Sequence, residues 1–466
     1  MTTSLWKKSA VEIVDLVNTK EVTCLEVTDA ILARIDAVNP NYNAIVYVDH
    51  EGARASAVAC DTALGRGIHV GALPGVAVSI KLNIDVEGQA TDDGCVPLKN
   101  RIAAEDAPLV ANLRRNGAAI AGRCNAPAFS IRVFTDNELH GRTLNPFAAD
   151  RTPGGSSGGA AVAAALGFGP IHIGNDVGGS IRHPAWANGV VGLRPSIGRV
   201  PHYQSTARNE KSLSWQLFEA HGPLTRSVAD ARLALQVISR GDPRDPQWVP
   251  ALLELEPPRS RKVALFNSWS GCPTHPSVSA SLIAAATALE AAGYVVEERA
   301  VPHFEETLEM RSNLLFDDIR RRAADVEEFG DTASKNLFRN LTSQRAPGNV
   351  DEVLAAYQRR MEIMREWAKF LVEYPLILMP TSWRPQLPID HDQKTPEHYA
   401  EVLTALSPVS VVSLLSYPGL SVPTGISEGL PTGIQLVAAN FREDLMFEAG
   451  EIIEAACRFS TFDHLD

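Results

Sequence analysis

Apolar side chains recur at Val27, Ile31, Ile35 and Val38, three or four residues apart, with polar positions between them. That spacing predicts a helix with one buried face. Thr23-Cys-Leu-Glu26 ahead of it fits a capping box, and Asn39-Pro40 ends the run. Ser9-Ala-Val-Glu12 fits the same box. Residues 1–65 are therefore expected to form a helical N-terminal arm on a larger body.

From Val76 the period changes to two. Val76, Val78 and Ile80 alternate with Ala77, Ser79 and Lys81, a strand pattern with a lysine at its end. A helix is expected over 106–115, stopped by Asn116-Gly117, and a strand over 118–124. A glycine loop then leads to a tightly packed helix over 160–166, a short strand over 170–174 and a loop over 175–180. Further strands are expected at 262–266, 294–297, 376–379, 420–422 and 433–437, the last two paired. Helices are expected at 278–292, ended by Gly293, and at 445–459. Residues 305–370 read as a charged helical lobe over the sheet. Alternation of this kind argues for an α/β protein with a covered sheet. No repeat or low-complexity tract interrupts it, and residues 243–258 are the best candidate for a seam. The expectation is one domain, with a core over 66–240 and a C-terminal portion over 241–466.

Composition narrows the partners. The chain has 466 residues, of which 45% are hydrophobic and 21% charged, so it can build a large core. Its formal net charge is −12, and no basic patch stands out, which argues against nucleic acid. The densest basic run, Arg320-Arg321-Arg322, sits among Asp317, Asp318, Glu327 and Glu328 and reads as a solvated helix face. Six scattered cysteines without a C-x-x-C argue against a disulfide framework or a zinc ribbon. No leader-like apolar segment opens the chain, and no uncharged apolar run reaches the ~18 residues of a membrane helix. A cytoplasmic protein that does not enter a membrane is expected.

Three stretches carry candidate chemistry. Lys81 ends an apolar strand. It is either a lysine whose ammonium snorkels to the surface or a desolvated, neutral base. Bringing its ordinary pKa of ~10.4 near 7 takes about 4 kcal/mol of differential stabilisation, which burial can supply. Ser156 lies in Gly154-Gly155-Ser156-Ser157-Gly158-Gly159, a turn or helix cap by default. It lacks the G-K-[ST] end of a phosphate loop. It also matches G-x-S-x-G, but 147–153, with two charges and a proline, makes a poor strand for a nucleophile elbow. Ser180 closes Asn175-Asp176-Val177-Gly178-Gly179-Ser180, either a capped glycine turn or a place where N–H groups converge on an oxyanion.

Taken together the stretches resemble the amidase signature family. The matching residues are P-G-V-A-V-S-I-K-L-N-I-D-V-E-G (Pro74 to Gly88), T-P-G-G-S-S-G-G (Thr152 to Gly159) and N-D-V-G-G-S-I-R-H-P-A (Asn175 to Ala185). Asn145-Pro146, Gly189 to Gly192, Gly222 to Asp230 and Leu430 to Val437 agree with it. The resemblance spans most of the chain and is weakest between about 242 and 375. It implies the amidase-signature fold, a central mixed β-sheet covered by helices on both faces.

The resemblance also implies an amide hydrolase working through a Ser–cis-Ser–Lys triad. Ser180 would be the acylated nucleophile, Ser156 the bridge behind a cis peptide, and Lys81 the terminal base. The N–H groups of Val177, Gly178, Gly179 and Ser180 would form the oxyanion hole. Ser157, Asp176 and Arg182 would brace the loops, the last two as a possible ion pair. No metal or organic cofactor is implied, the partner would be a small-molecule amide, and a homodimer is the family's expectation. Phe129, Ile131, Trp215 and Gln435 are candidates for an acyl pocket, against an ordinary core or surface role for each.

The chain departs from the usual pattern at Leu82, where Asp is frequent, at Asp92-Asp93-Gly94, at Asn175 in place of Thr, and at Gly122-Arg-Cys-Asn-Ala-Pro127. The rival readings are the glutaminase component of a tRNA-dependent amidotransferase, an inactive amide-binding relative, and a Cys–Glu–Lys nitrilase using Cys124.

Overall fold

The computed structural model describes residues 2–344 and 348–465. Both capping boxes close. The side chains of Ser9 and Thr23 each accept the N–H three residues on, and Glu12 and Glu26 accept the cap N–H in return, opening helices Ala10–Asn18 and Cys24–Val38. Val27, Ile31 and Ile35 are fully buried, as their spacing requires.

Eleven strands form one sheet. They are β1 (Ile45–Val48), β2 (Ala77–Lys81), β3 (Ala119–Cys124), β4 (Ile171–Asp176), β5 (Val191–Arg194) and β6 (Ala220–Thr225), followed by β7 (Lys262–Leu265), β8 (Val295–Glu298), β9 (Leu376–Pro380), β10 (Gly419–Ser427) and β11 (Leu430–Ala438). Their spatial order is β1-β3-β2-β4-β6-β5-β10-β11-β9-β7-β8. β2 runs parallel to both β3 and β4, and β7 parallel to both β8 and β9. The six other pairings are antiparallel, so the sheet is mixed.

Side-chain alternation shows that both faces are covered. On β9, Leu376 and Leu378 join the largest apolar cluster, with helices Pro276–Ala291 and Glu443–Cys457. Ile377 and Met379 point the other way, into a cluster with Trp367, Trp383, Val411 and Val412. β7 divides likewise, Val263 and Leu265 to the first cluster and Ala264 to the second. No helix among the described residues is long and apolar enough to cross a membrane.

The structure departs from expectation in three places. β1 lies inside the arm expected to be helical and pairs antiparallel with β3, so the arm supplies the sheet's edge. β4 continues through Asn175 and Asp176, which makes both strand residues rather than loop residues. Arg320 is buried, not solvated. It contacts the Asp317 carboxylate three residues back and donates to Leu341 O at 2.8 Å. A neighbouring carboxylate of opposite sign removes much of the cost of burying a guanidinium.

Candidate active site

Side by side and parallel, β2 and β4 deliver Lys81 and Asn175 to the same edge of the sheet. Ligands of α/β sheets bind outside the carboxyl ends of such strands. Lys81 is fully buried. Its Nζ lies 2.6 Å from Ser156 Oγ and donates to Asn175 Oδ1 at 2.6 Å. Burial pushes its pKa down to about 7, against the opposing pull of Glu219, Asp176 and Asp93. A large fraction of the amine is therefore uncharged near neutrality.

Ser156 enters from the glycine loop ahead of helix Gly158–Leu166, and the Gly155–Ser156 peptide is cis. Ser157 ties the loop down: its N–H donates to Ser180 O at 3.1 Å and its Oγ to Asn175 O at 3.3 Å. The approach is close enough that a Cβ on Gly174 would lie 2.6 Å from Ser157 Oγ.

The loop after β4 carries Ser180. Asp176, fully buried, organises it. Its carboxylate accepts from Gly179 N at 2.7 Å, Ile181 N at 3.2 Å and Arg182 Nε at 3.0 Å. Burial alone would raise the Asp176 pKa; the Arg182 and Arg194 guanidinium groups outweigh it and hold the carboxyl well below its ordinary range. Arg182 in turn donates to Val409 O, Ser413 Oγ and Gln435 Oε1 at 2.7–3.0 Å. Gly179 takes φ 113°, which favours glycine, and a Cβ there would meet Val409 Cγ2 at 2.4 Å.

Two of the residues named from sequence are placed differently. The Gly179 N–H is spent on Asp176, so it does not face the cavity as an oxyanion donor. Among the described residues, the N–H groups of Val177, Gly178 and Ser180 have no protein acceptor. Gln435 is fully buried on β11, accepting from Arg182 and donating to Pro380 O at 3.1 Å, and it does not line the cavity.

That cavity has a volume of about 120 Å³. Ser156, Asn175, Val177, Gly178, Ser180 and Glu219 form its polar end. Ser156 and Ser180 share this wall, and no direct hydrogen bond joins their hydroxyls among the described contacts. Phe129, Ile131 and Trp215 also line it, with Leu315, Phe316 and Ile319 from the helical lobe. Phe129 and Ser130 both sit in the left-handed region, at φ 54° and 57°, a conformation uncommon outside glycine. The charges in the wall are largely spoken for. Arg132 grips Asp392 with Nε–Oδ2 2.8 Å and Nη2–Oδ1 2.9 Å. Arg311 lies against the Phe316 ring and donates to Leu403 O at 3.3 Å.

Glu219 escaped the sequence reading. It lies just before β6, accepts from Asn175 Nδ2 at 2.9 Å and contacts the Lys211 ammonium. His202 and His221 stand beside it, with potential ligand atoms of all three within 4.8 Å of one another. Lys211 Nζ is also 2.5 Å from His202 Nε2, so the cation that this group accommodates is the lysine itself. Cys124 lies on the far side of β2, hydrogen-bonded to Ser79 Oγ at 2.7 Å, and burial pushes its thiol up to about 12. Such a thiol is no nucleophile at neutral pH.

The amidase family model matches residues 26–447. Indoleacetamide hydrolase of Bradyrhizobium diazoefficiens is 38% identical over 97% of this chain and 86% of its own length. A glutamyl-tRNA(Gln) amidotransferase subunit of Moorella thermoacetica is 32% identical over 98% of each chain. Among solved structures, a bacterial aryl acylamidase of the amidase signature family superposes with a TM-score of 0.83 at 26% identity, covering 98% of both chains.

Proposed function

The chain belongs to the amidase family and is an amide-hydrolysing enzyme; from that premise we propose that it opens small aryl or alkyl amides through an acyl-enzyme on Ser180. One observation carries the mechanism: a fully buried lysine amine, its pKa brought to about 7, within 2.6 Å of Ser156 Oγ. Neutral Lys81 takes the Ser156 proton as Ser156 takes that of Ser180. Ser180 Oγ bonds to the carbonyl carbon, and the oxygen becomes an anion against the N–H groups of Val177, Gly178 and Ser180. When the C–N bond breaks, the proton held by Lys81 returns through Ser156 to the departing nitrogen. Water enters by the same route and releases the carboxylate.

Ser157, Asp176 and Arg182 hold the two serine loops against each other in this reading. The apolar lining supports an aryl or alkyl acyl group, as does the likeness to an indoleacetamide hydrolase. The experiment is a panel of primary amides with intact-mass detection of trapped acyl-enzyme. Arylacetamides should label the wild type and leave Ser180→Ala unlabelled, and a labelled Ser180→Ala would overturn the assignment.

The likeness to a component of a tRNA-dependent amidotransferase supports a second reading, release of ammonia from glutamine for a partner. Glutamine turnover by the isolated chain exceeding that of every arylamide would favour it.

A further inference from the structure

We propose that Glu219, acting through the Asn175 amide, is a positioning residue for Lys81, the pair fixing which side of the lysine amine meets Ser156. The proposal rests on the reading of Lys81 as the base.

The two ends of an asparagine amide have nearly the same shape, so its neighbours decide which end points where. Ionised Glu219 only accepts, and it takes the Asn175 NH₂ at 2.9 Å. Oδ1 is thereby turned to Lys81 Nζ, 2.6 Å away. A neutral amine has two N–H bonds and one lone pair. With an N–H committed to Asn175, the lone pair is free to face the Ser156 hydroxyl. A reversed Asn175 would point an N–H at the amine, occupy the lone pair and leave no base.

Glu219 is equipped to stay ionised. Its side chain is only 6% exposed, and burial alone would raise its pKa, but the Lys211 ammonium leads the groups that hold it well below its ordinary value. His221 Nε2 lies 3.7 Å from its Oε1. The charged groups that act on Lys81 are Glu219, Asp176, paired with Arg182 and Arg194, Asp93, paired with Arg101, and, with opposite sign, Lys211. Of these, only Glu219 touches Asn175.

The test uses two full-length variants, Glu219→Gln and Lys211→Met, with kcat and KM for an arylacetamide measured from pH 5 to 10. A glutamine can satisfy Asn175 in either orientation, so the plateau kcat of Glu219→Gln should fall about tenfold while KM moves less than about threefold. Its acid limb should shift to lower pH, because a negative neighbour of Lys81 is gone. Lys211→Met removes a positive neighbour and should shift the limb to higher pH. The Lys211 side chain is 20% exposed, so this variant should fold even where the first does not. Limbs that stay in place, or a change confined to KM, would overturn the proposal. Lys81→Met separates the two levels: an active variant refutes the lysine base, whereas an inactive one beside unmoved limbs refutes only the role of Glu219.

Discussion

Asp176 and Arg182 face each other across the loop that carries Ser180, Oδ2 to Nε at 3.0 Å, with neither side chain exposed. The pair converts a glycine-rich turn into a fixed one. Its carboxylate draws in the Gly179 and Ile181 N–H groups, and its guanidinium ties the loop to Val409, Ser413 and Gln435.

Arg182→Met should therefore lower stability by about 3–5 kcal/mol, because it leaves a buried carboxylate short of its main partner. Urea unfolding followed by tryptophan fluorescence measures this. Arg182→Lys should recover little of it, since a single ammonium cannot reproduce the fork that spans Asp176, Ser413 and Gln435.

Activity should fall in acid. Protonation removes the lone pair that Lys81 needs, so kcat/KM should decline below about pH 7 with unit slope. A rate that stays level down to pH 5 would count against a lysine base.

The same lysine should cost stability. Its folded pKa of about 7 lies below the unfolded value of 10.5, so the unfolded chain binds more protons between these limits and stability rises with pH across that window. Below pH 7 the full penalty applies. Lys81→Met should be inactive yet more stable than wild type by about 2–4 kcal/mol at pH 7, with the gain shrinking toward pH 10. Chemical denaturation at the two pH values checks both the sign and the trend.

Gly179→Ala should cost about 2–3 kcal/mol, since φ 113° and a Cβ 2.4 Å from Val409 Cγ2 leave no room for a methyl group. Thermal melting and kcat should fall together. Pairing it with Val409→Ala should recover part of the packing loss but not the dihedral cost.

Trp215→Ala should raise KM for an arylacetamide about 5–30-fold, the equivalent of about 1–2 kcal/mol of lost aromatic contact, and leave acetamide nearly unchanged. Steady-state kinetics on the two substrates would show the split. Equal losses on both would move Trp215 out of the acyl-binding wall.

What the sequence revealed of this architecture depended on how local the cause was. The boxes at Ser9–Glu12 and Thr23–Glu26 need four consecutive residues, and both formed as read. β2 was visible from its period of two, although every position on it proved to be buried. β6 was not, because Ala-His-Gly-Pro-Leu-Thr lacks any strand pattern; it is held between β4 and β5 in the middle of the sheet, where tertiary contact overrides propensity. Glu219 was invisible for a similar reason. A lone glutamate reads as surface charge until β4 brings Asn175 to it and the intervening helical segment folds Lys211 back onto its carboxylate. For Gln435 the sequence leaves a pocket role and a core role open, and the fold gives it the core role, held by Arg182.

Lys81, Ser156 and Ser180 all lie at or before residue 180, yet Arg182 is anchored by groups at 409, 413 and 435. A growing chain that has emerged no further than residue 400 contains all three side chains of the proposed triad and still lacks the back wall that steadies the Ser180 turn. The order of that turn thus depends on residues 227–253 positions further along the chain, and a fragment cut before Val409 would lack all three anchors.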